Sequence, residues 1–352
     1  MENRVVIYYF SGTGNSWRLA KAAAAAFEER GCESFLSSVE RGEAHPMHGS
    51  ARYVGFVSCV LGFGLPQMVA KFMRNLPHGV GQRAFVLISI GSTEVMRIGS
   101  LATRPVPGFE GVCIHQARRL LSARGYTLEQ AHPIQMPHNW IMVGDPPESD
   151  RVEALGEDGD ALAGRCVEAL LEGAVDVELA GPVTAAAAGL VYLMFLCVGR
   201  RVMGASFVAS DSCNGCGVCA LECPAGTIRL VGGLPRWRLN CQQCFRCIHL
   251  CPNRAIEVSG TAMLLAGGAM AAGSLAKFPS RLLSGRRVRE WGRLRLAVAY
   301  LLDSACGLVA GSLAMRVLAT DTRAREALPW WYLTEKRRRY RQPGFRPSRA
   351  RH

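Results

Sequence analysis

The stretch that decides the fold is Val5-Val-Ile-Tyr-Tyr-Phe-Ser-Gly-Thr-Gly-Asn-Ser16. Its first six residues are β-branched or aromatic and favour a buried strand. The alanine-rich residues from Trp17 to Arg30 favour a helix. A loop of small residues between such a strand and helix can direct backbone N–H groups at a phosphate, and the helix N-terminus adds a favourable dipole. The predicted phosphate site comprises Ser11, Gly12, Thr13, Gly14, Asn15 and Ser16.

The loop excludes two common classes of phosphate site. No Lys-Ser or Lys-Thr pair follows it, unlike the P-loop of nucleotide hydrolases, and Trp17 stands where a dinucleotide fingerprint has glycine. The remaining interpretations are a monophosphate carried by a flat group, or a plain Gly/Ser turn without a ligand.

Further along the chain, strand-like and helix-like stretches alternate. Two more apolar runs, Tyr53 to Val60 and Ala84 to Ile90, favour buried strands. Helices are predicted for three stretches, Gln67 to Leu76, Val112 to Arg124 and Arg151 to Glu172. Alternation of this kind predicts an α/β unit with a parallel sheet covered on both faces.

Eight of the 14 cysteines form two copies of the motif C-x-x-C-x-x-C-x-x-x-C-P. In bacterial two-cluster ferredoxins, three cysteines of such a run bind one 4Fe-4S cluster and the fourth binds the other. One predicted ligand set is Cys213, Cys216, Cys219 and Cys251, and the second is Cys241, Cys244, Cys247 and Cys223. A pair of zinc sites is the alternative, which this spacing fits poorly because zinc ligands come in two pairs.

The other six cysteines are scattered singly, and the run from Val5 to Phe10 is too short for the apolar core of a signal peptide. Cysteines used as metal ligands rather than in disulfides are typical of a reducing compartment. We therefore expect a cytoplasmic protein.

Together these motifs resemble the bacterial ferrodoxin family, in which a flavodoxin and a two-cluster ferredoxin are fused in one chain. The resemblance covers most of residues 1 to 258 and a C-terminal tail. Further matches in family order are Gly62-Phe-Gly-Leu-Pro66, Met136-Pro-His-Asn-Trp140, Trp237 and Arg339-Tyr-Arg-Gln-Pro343.

The resemblance implies a flavodoxin-like doubly wound parallel sheet of strand order 2-1-3-4-5, followed by a small α+β ferredoxin domain with two clusters and a helical, basic C-terminal region. The expected divisions are the FMN-binding domain (1–178), an apolar linker helix (179–210), the ferredoxin domain (211–258), an apolar and basic helical insertion (259–333) and a basic C-terminal arm (334–352).

The resemblance also implies FMN, with its phosphate on the loop at residues 11–16 and its ring between the loops that follow the third and fourth strands. The implied ring contacts are Gly62, Phe63, Gly64, Gly91, Ser92, Thr93 and Trp140. The chain has Cys59-Val-Leu61 where the family shows Pro-x-Tyr, so the expected stacking tyrosine is missing. We predict that Phe63 or Trp140 stacks instead, although both also suit a plain core role.

The charge is concentrated at the C-terminus, which has 18 Lys and Arg against 5 Asp and Glu from Lys277 onwards, within a chain of net charge +13. The second half of the chain also contains three long apolar stretches, Leu179 to Val198, Thr261 to Ala276 and Leu296 to Met315. A spanning first stretch would separate the two domains, and a spanning hairpin of the others would place a basic loop outside, against the positive-inside rule. We favour helices on the protein body or in peripheral contact with an anionic membrane.

The same tail carries Trp330, Trp331, Tyr332 and Tyr340, a mixture of basic and aromatic residues that also occurs in nucleic-acid-binding segments. We favour an arm that packs back on the clusters, and do not expect a nucleic-acid partner.

The function expected from these patterns is electron transfer between FMN, two 4Fe-4S clusters and an external redox protein, a ferredoxin or a reductase. One alternative is a flavin-dependent reductase of a small substrate that uses the clusters as an internal relay. Another is a nucleic-acid- or membrane-binding module with structural clusters. No catalytic triad, carboxylate pair or nicotinamide site is recognisable.

Overall fold

The computed structural model describes residues 2–92, 108–238, 240–264 and 331–347. The N-terminal unit is built on a parallel sheet of order β2-β1-β3-β4-β5-β6. Its strands are β1 (Glu2–Tyr9), β2 (Glu33–Ser38), β3 (Ala51–Cys59), β4 (Arg83–Gly91), β5 (Thr127–Met136) and β6 (Asp176–Val177). The predicted order 2-1-3-4-5 is confirmed, and β6 adds a short edge strand. This is the flavodoxin-like doubly wound topology, with its switch point between β1 and β3.

Helices cover both faces of this sheet. They are α1 (Asn15–Glu29), α2 (Gln67–Arg74), α3 (Cys113–Ser122) and α4 (Ser149–Glu172), with short 3₁₀ turns at Val39–Arg41 and Pro46–Gly49. Alternate residues of β1 enter two different cores: Val5 and Ile7 pack with residues of α1 and α4, and Val6 and Tyr8 with residues of α2 and α3. The apolar run of the first strand is thereby explained, because both of its faces are buried.

A helical segment leads out of the N-terminal unit. It consists of α5 (Pro182–Met194), a π-helical turn (Phe195–Gly199) and α6 (Arg200–Ala205). Within the part of the chain that the structure describes, residues 182–199 form the one helix long and apolar enough to cross a membrane, with a mean hydropathy of 1.9.

The cysteine-rich unit (residues 207–258) is a small α+β structure. Strands β7 (Phe207–Ala209) and β10 (Ile256–Val258) pair antiparallel, and β8 (Ile228–Val231) forms a hairpin with β9 (Leu234–Trp237). The short helices α7 (Val218–Leu221) and α8 (Arg246–Leu250) each follow the first two cysteines of one run and contain the third. Strand β7 lies before residue 211, where this unit is predicted to begin. Because β7 pairs with β10, it belongs to the cysteine-rich unit, which therefore begins near residue 207.

The C-terminal arm (residues 334–352) is described up to residue 347. It begins next to β10, where Leu333 N–H donates to the carbonyl of Val258 at 2.8 Å. Most of the predicted insertion, including the apolar stretch Leu296 to Met315, lies outside the described residues, as does Thr93.

Candidate functional site

The predicted phosphate loop leaves β1 at the carboxyl edge of the sheet. Gly14 precedes α1 with a φ of 113°, and no side chain caps the helix. The hydroxyl of Ser11 accepts from Gly14 N–H at 2.9 Å and so closes the loop on itself. The backbone N–H groups of the first turn of α1 therefore lack a side-chain acceptor, the arrangement that binds phosphate at a helix N-terminus.

Side chains of the phosphate loop form hydrogen bonds with neighbouring parts of the N-terminal unit. Ser16 and Ser89 share a hydrogen bond of 2.9 Å, which fixes the loop to β4. The amide of Asn15 donates to the carbonyl of Pro137 at 2.7 Å, and Asn139 donates to the Thr13 hydroxyl at 3.0 Å. These hydrogen bonds hold loop residues 11–16 against β4 and against the segment that follows β5.

The turn after β3 contains two of the predicted ring contacts. Gly62 and Phe63 have φ values of 59° and 69°, and Gly64 N–H donates to Leu61 C=O at 3.3 Å, as in a type I′ turn. A left-handed phenylalanine is unusual and costs conformational energy. The turn is held by Val112 N–H, which donates to the Phe63 carbonyl at 2.8 Å.

The end of β4 offers a polar group without a partner. Ser92 is buried, and its hydroxyl makes no hydrogen bond to any described residue. Such an orphaned hydroxyl beside Gly91 fits the polar edge of a flat ring bound at the switch point. Trp140, the other predicted stacking residue, is 46% exposed, and its role stays a prediction.

Two aromatic residues that sequence reasoning missed meet the turn after β3. A Cβ at Gly64 or Gly62 would overlap the ring of Tyr192 or Phe195, respectively. The Tyr192 hydroxyl donates to the carbonyl of Leu65 at 2.6 Å. Their only sequence signal is a pair of aromatic residues three apart in an otherwise aliphatic stretch.

The eight cysteines of the two runs line two cavities. The first cavity is lined by Cys213, Cys216, Cys219 and Cys251. The second is lined by Cys223, Cys241, Cys244 and Cys247. Each cavity therefore brings together three cysteines of one run and the last cysteine of the other. No group of three or more His, Cys, Asp or Glu side chains in the described ranges is close enough together to hold a single metal ion.

The backbone repeats between the two runs at a spacing of 28 residues. Left-handed φ values of 51° to 76° occur at Gly215, Gly217 and Gly226 and again at Gln243, Phe245 and Arg254. The same repeat aims an N–H group at the last sulfur of each run: Thr227 donates to Cys223 Sγ at 3.4 Å and Ala255 to Cys251 Sγ at 3.3 Å. Such donors stabilise thiolates that bind iron.

Burial disfavours ionised thiols in these cavities. It raises the pKa of Cys219 to about 12 and that of Cys244 to about 11. The positive charge of bound iron would offset this effect, because it favours the thiolate form.

The phosphate loop and the second cysteine cavity are in direct contact. A Cβ at Gly12 would overlap the carbonyl oxygen of Cys244. Arg246, which follows Cys244 by two residues, donates to the loop carbonyls of Ser11 at 2.6 Å and Gly12 at 3.3 Å. Its guanidinium also donates to the carbonyl of Glu222, next to Cys223, at 3.1 Å. A single buried arginine thus joins the two units.

The C-terminal arm closes over the same junction. Tyr340 donates from its hydroxyl to Asn15 Oδ1 at 2.6 Å and from its N–H to His249 Nδ1 at 3.0 Å. Because Nδ1 accepts, the His249 proton is on Nε2, which donates to Asn139 C=O at 2.8 Å. Gln342 N–H donates to the Thr13 carbonyl at 2.8 Å.

Three arginines of the arm pair with acidic residues of the body. Arg337 lies 3.1 Å from Asp145, Arg338 pairs with Glu148, and Arg339 lies 2.8 Å from Glu257. This part of the basic tail is therefore engaged within the molecule.

Comparison with known proteins identifies one domain. The family model described as a 4Fe-4S binding domain matches residues 207–229, which contain the first cysteine run. The chain thus carries a binding domain for at least one 4Fe-4S cluster. No curated protein matched the chain.

Several solved structures are similar to part of the chain. Oxidised flavodoxin 1 from Bacillus cereus is 17% identical over 46% of this chain and 97% of its own, with a TM-score of 0.31. Two-electron reduced flavodoxin from Megasphaera elsdenii is 18% identical over 46% and 98%, with a TM-score of 0.29. Rubredoxin oxygen:oxidoreductase from Desulfovibrio gigas is 20% identical over 48% of this chain but only 37% of its own length, with a TM-score of 0.29. The fold assignment itself rests on the observed strand order.

Proposed function

We propose that the chain is a cytoplasmic electron carrier that links FMN in the N-terminal unit, two 4Fe-4S clusters in the cysteine-rich unit and an external redox protein, a ferredoxin or a reductase. FMN exchanges one or two electrons and each cluster exchanges one, so together they can connect two-electron and one-electron partners.

The residues at the switch point fit FMN. The uncapped first turn of α1 would bind the phosphate, and the side-chain bonds of Asn15 and Ser16 hold that turn in place. The turn at Gly62 and Phe63 would border one side of the ring. The unpartnered Ser92 hydroxyl would meet the other side.

The two cavities fit two clusters. Each presents four sulfurs, and each receives an N–H group from the equivalent position, Thr227 or Ala255. The cysteines keep the clusters near each other, because Cys223 and Cys251 each belong to one run and line the cavity of the other.

The contact between Gly12 and Cys244 carries the proposal. It makes the predicted phosphate loop and the second cysteine cavity adjacent, with no intervening layer of protein. Purely structural clusters would need no such contact, whereas electron exchange between two sites benefits from a short path. Arg246 holds this arrangement through both loop carbonyls.

The test is anaerobic purification followed by an absorption spectrum and counts of FMN, iron and sulfide. We expect one FMN and about eight iron and eight sulfide per chain. As a matched control, Cys32→Ser at a buried cysteine outside both runs should keep the full iron count, whereas Cys244→Ser should lose about half of it.

Reoxidation of the reduced protein then distinguishes a carrier from an enzyme. A carrier reoxidises with a ferredoxin or a reductase, whereas a substrate-specific reductase turns over a small acceptor without a protein partner. Colourless protein, or protein that holds zinc, would contradict the proposal.

A further inference from the structure

The helix at residues 182–199, here called the anchor helix, exposes apolar side chains along most of its surface. Val183, Leu190, Val191, Leu193 and Met194 are between 47% and 83% exposed. Only Ala188 and Tyr192 are buried on its inner side. A surface helix normally turns polar residues to water, and contiguous apolar surface of this kind marks an interaction site.

The anchor helix lies flat against the N-terminal unit. Thr184 contacts Gly108, a Cβ added at Gly189 would lie 3.7 Å from Val112 Cγ1, and Tyr192 and Phe195 pack on the turn after β3. These contacts run along nearly the whole helix, which at 1.5 Å per residue is about 27 Å long. A helix docked along its length cannot cross a bilayer while the N-terminal unit stays in water, so any membrane contact is parallel to the surface.

We propose that the anchor helix is an in-plane membrane anchor, whose outer apolar face enters the interfacial region of an anionic membrane. The inner face stays on the protein body, so the helix needs no polar face of its own. No charged residue occurs between 182 and 199, and Arg200 and Arg201 follow directly, where basic side chains reach headgroups.

Charge selects the membrane over a second copy of the chain as the occupant of this face. From Lys277 to the C-terminus the chain has 18 Lys and Arg against 5 Asp and Glu. The net charge of +13 over the whole chain repels a like-charged second copy and favours anionic lipid, to which each basic residue near the membrane surface is attracted by about 1 kcal/mol. The proposal does not depend on the redox function.

The test is cosedimentation of the full-length protein with vesicles of phosphatidylcholine alone or mixed with phosphatidylglycerol. The wild type should bind the anionic vesicles and be released by a carbonate wash. Leu190→Glu/Leu193→Glu should weaken binding by about tenfold or more, because two charges replace inserted leucines. Val80→Glu/Val175→Glu, at two residues that are each 70% exposed elsewhere on the N-terminal unit, should bind as the wild type does.

Circular dichroism and gel filtration of both double variants check that they fold. Three results would overturn the proposal. The wild type could fail to bind anionic vesicles, or the anchor-helix variant could bind as well as the wild type, which would assign attachment to another segment. The anchor-helix variant could instead convert a stable dimer into a monomer without vesicles, which would assign this face to a second copy.

Discussion

Arg246 and Glu40 form a buried ion pair that joins the cysteine-rich unit to the N-terminal unit. Their two hydrogen bonds measure 2.9 Å and 2.5 Å, and the side chains are only 2% and 3% exposed. Burial lowers the pKa of Arg246, but the bonds to Glu40 raise it more, so the guanidinium stays charged. A buried pair of this kind fixes the relative position of two elements more than it adds net stability.

Replacing Glu40 by glutamine should be strongly destabilising, because it leaves the Arg246 charge buried without its counter-ion. We expect a loss of about 3–5 kcal/mol in the free energy of unfolding, measured by anaerobic denaturant titration. The matched control is Glu168→Gln at the Arg30–Glu168 pair, whose side chains are about half exposed. That change should cost less than about 1 kcal/mol. Equal effects of the two substitutions would contradict a special role for Arg246.

Alanine at Gly12 should separate the two proposed cofactor sites. Its Cβ would overlap the Cys244 carbonyl, so the loop or the cysteine run must move. We expect slower electron exchange between flavin and clusters in flash photolysis, with iron still bound. Gly164→Ala is the control, since beyond its chain neighbours and the backbone of its own helix no atom lies within 4 Å of its added Cβ. Its location in α4 predicts a gain of up to about 1 kcal/mol in stability. Wild-type exchange rates in Gly12→Ala would refute the short path.

The sequence predicts those parts of the molecule that local patterns encode. Alternating strand and helix signals predict the parallel sheet, the family resemblance implies its strand order, and the grouping of cysteines in the two cavities matches their spacing. The residues that join the units leave no local signal, because they act over long separations. Arg246 binds a carbonyl 234 residues away, and Tyr340 binds Asn15 across 325 residues. Strand β6 is not predicted from the sequence for another reason, since two residues are too few to show the alternating pattern of a strand.

Substituting the last cysteine of a run should remove the cluster of the other run. Cys223→Ser should therefore resemble Cys241→Ser in its electron paramagnetic resonance spectrum, and Cys251→Ser should resemble Cys213→Ser. The reason is that each cavity contains the last cysteine of the other run. If Cys223→Ser instead resembled Cys213→Ser, each run would bind its own metal and the crossed ligand sets would be wrong.

His48 should make stability fall with acidification. Its Nδ1 and Nε2 bond to the hydroxyls of Tyr8 at 3.0 Å and Tyr126 at 2.6 Å, and burial lowers its pKa to about 4. The unfolded chain takes up this proton near pH 6.5, so the folded state loses stability as pH falls from about 6.5 to 4. The expected loss from pH 7 to pH 5 is about 2 kcal/mol. His48→Gln should lower the apparent Tm at pH 7 but flatten its dependence on pH; an unchanged dependence would exclude His48 as the cause.

Removing the Tyr340 hydroxyl should loosen the phosphate loop from the C-terminal arm. This hydroxyl lies 2.6 Å from Asn15 Oδ1 and 2.8 Å from Gln342 Oε1, two acceptors that share its single proton, and burial raises its pKa, so it stays a donor at neutral pH. In Tyr340→Phe, Asn15 keeps only its bond to Pro137, and the first turn of α1 gains freedom that FMN binding must remove. We expect the Kd for FMN, measured by fluorescence quenching, to rise by about tenfold, the equivalent of one or two lost hydrogen bonds. The control is Tyr53→Phe. Tyr53 is a buried tyrosine that packs against Phe27 in the core between the sheet and helices α1 and α4, so this change should leave the Kd for FMN unchanged. Equal Kd values for both variants would mean that the arm packs on the loop without shaping it.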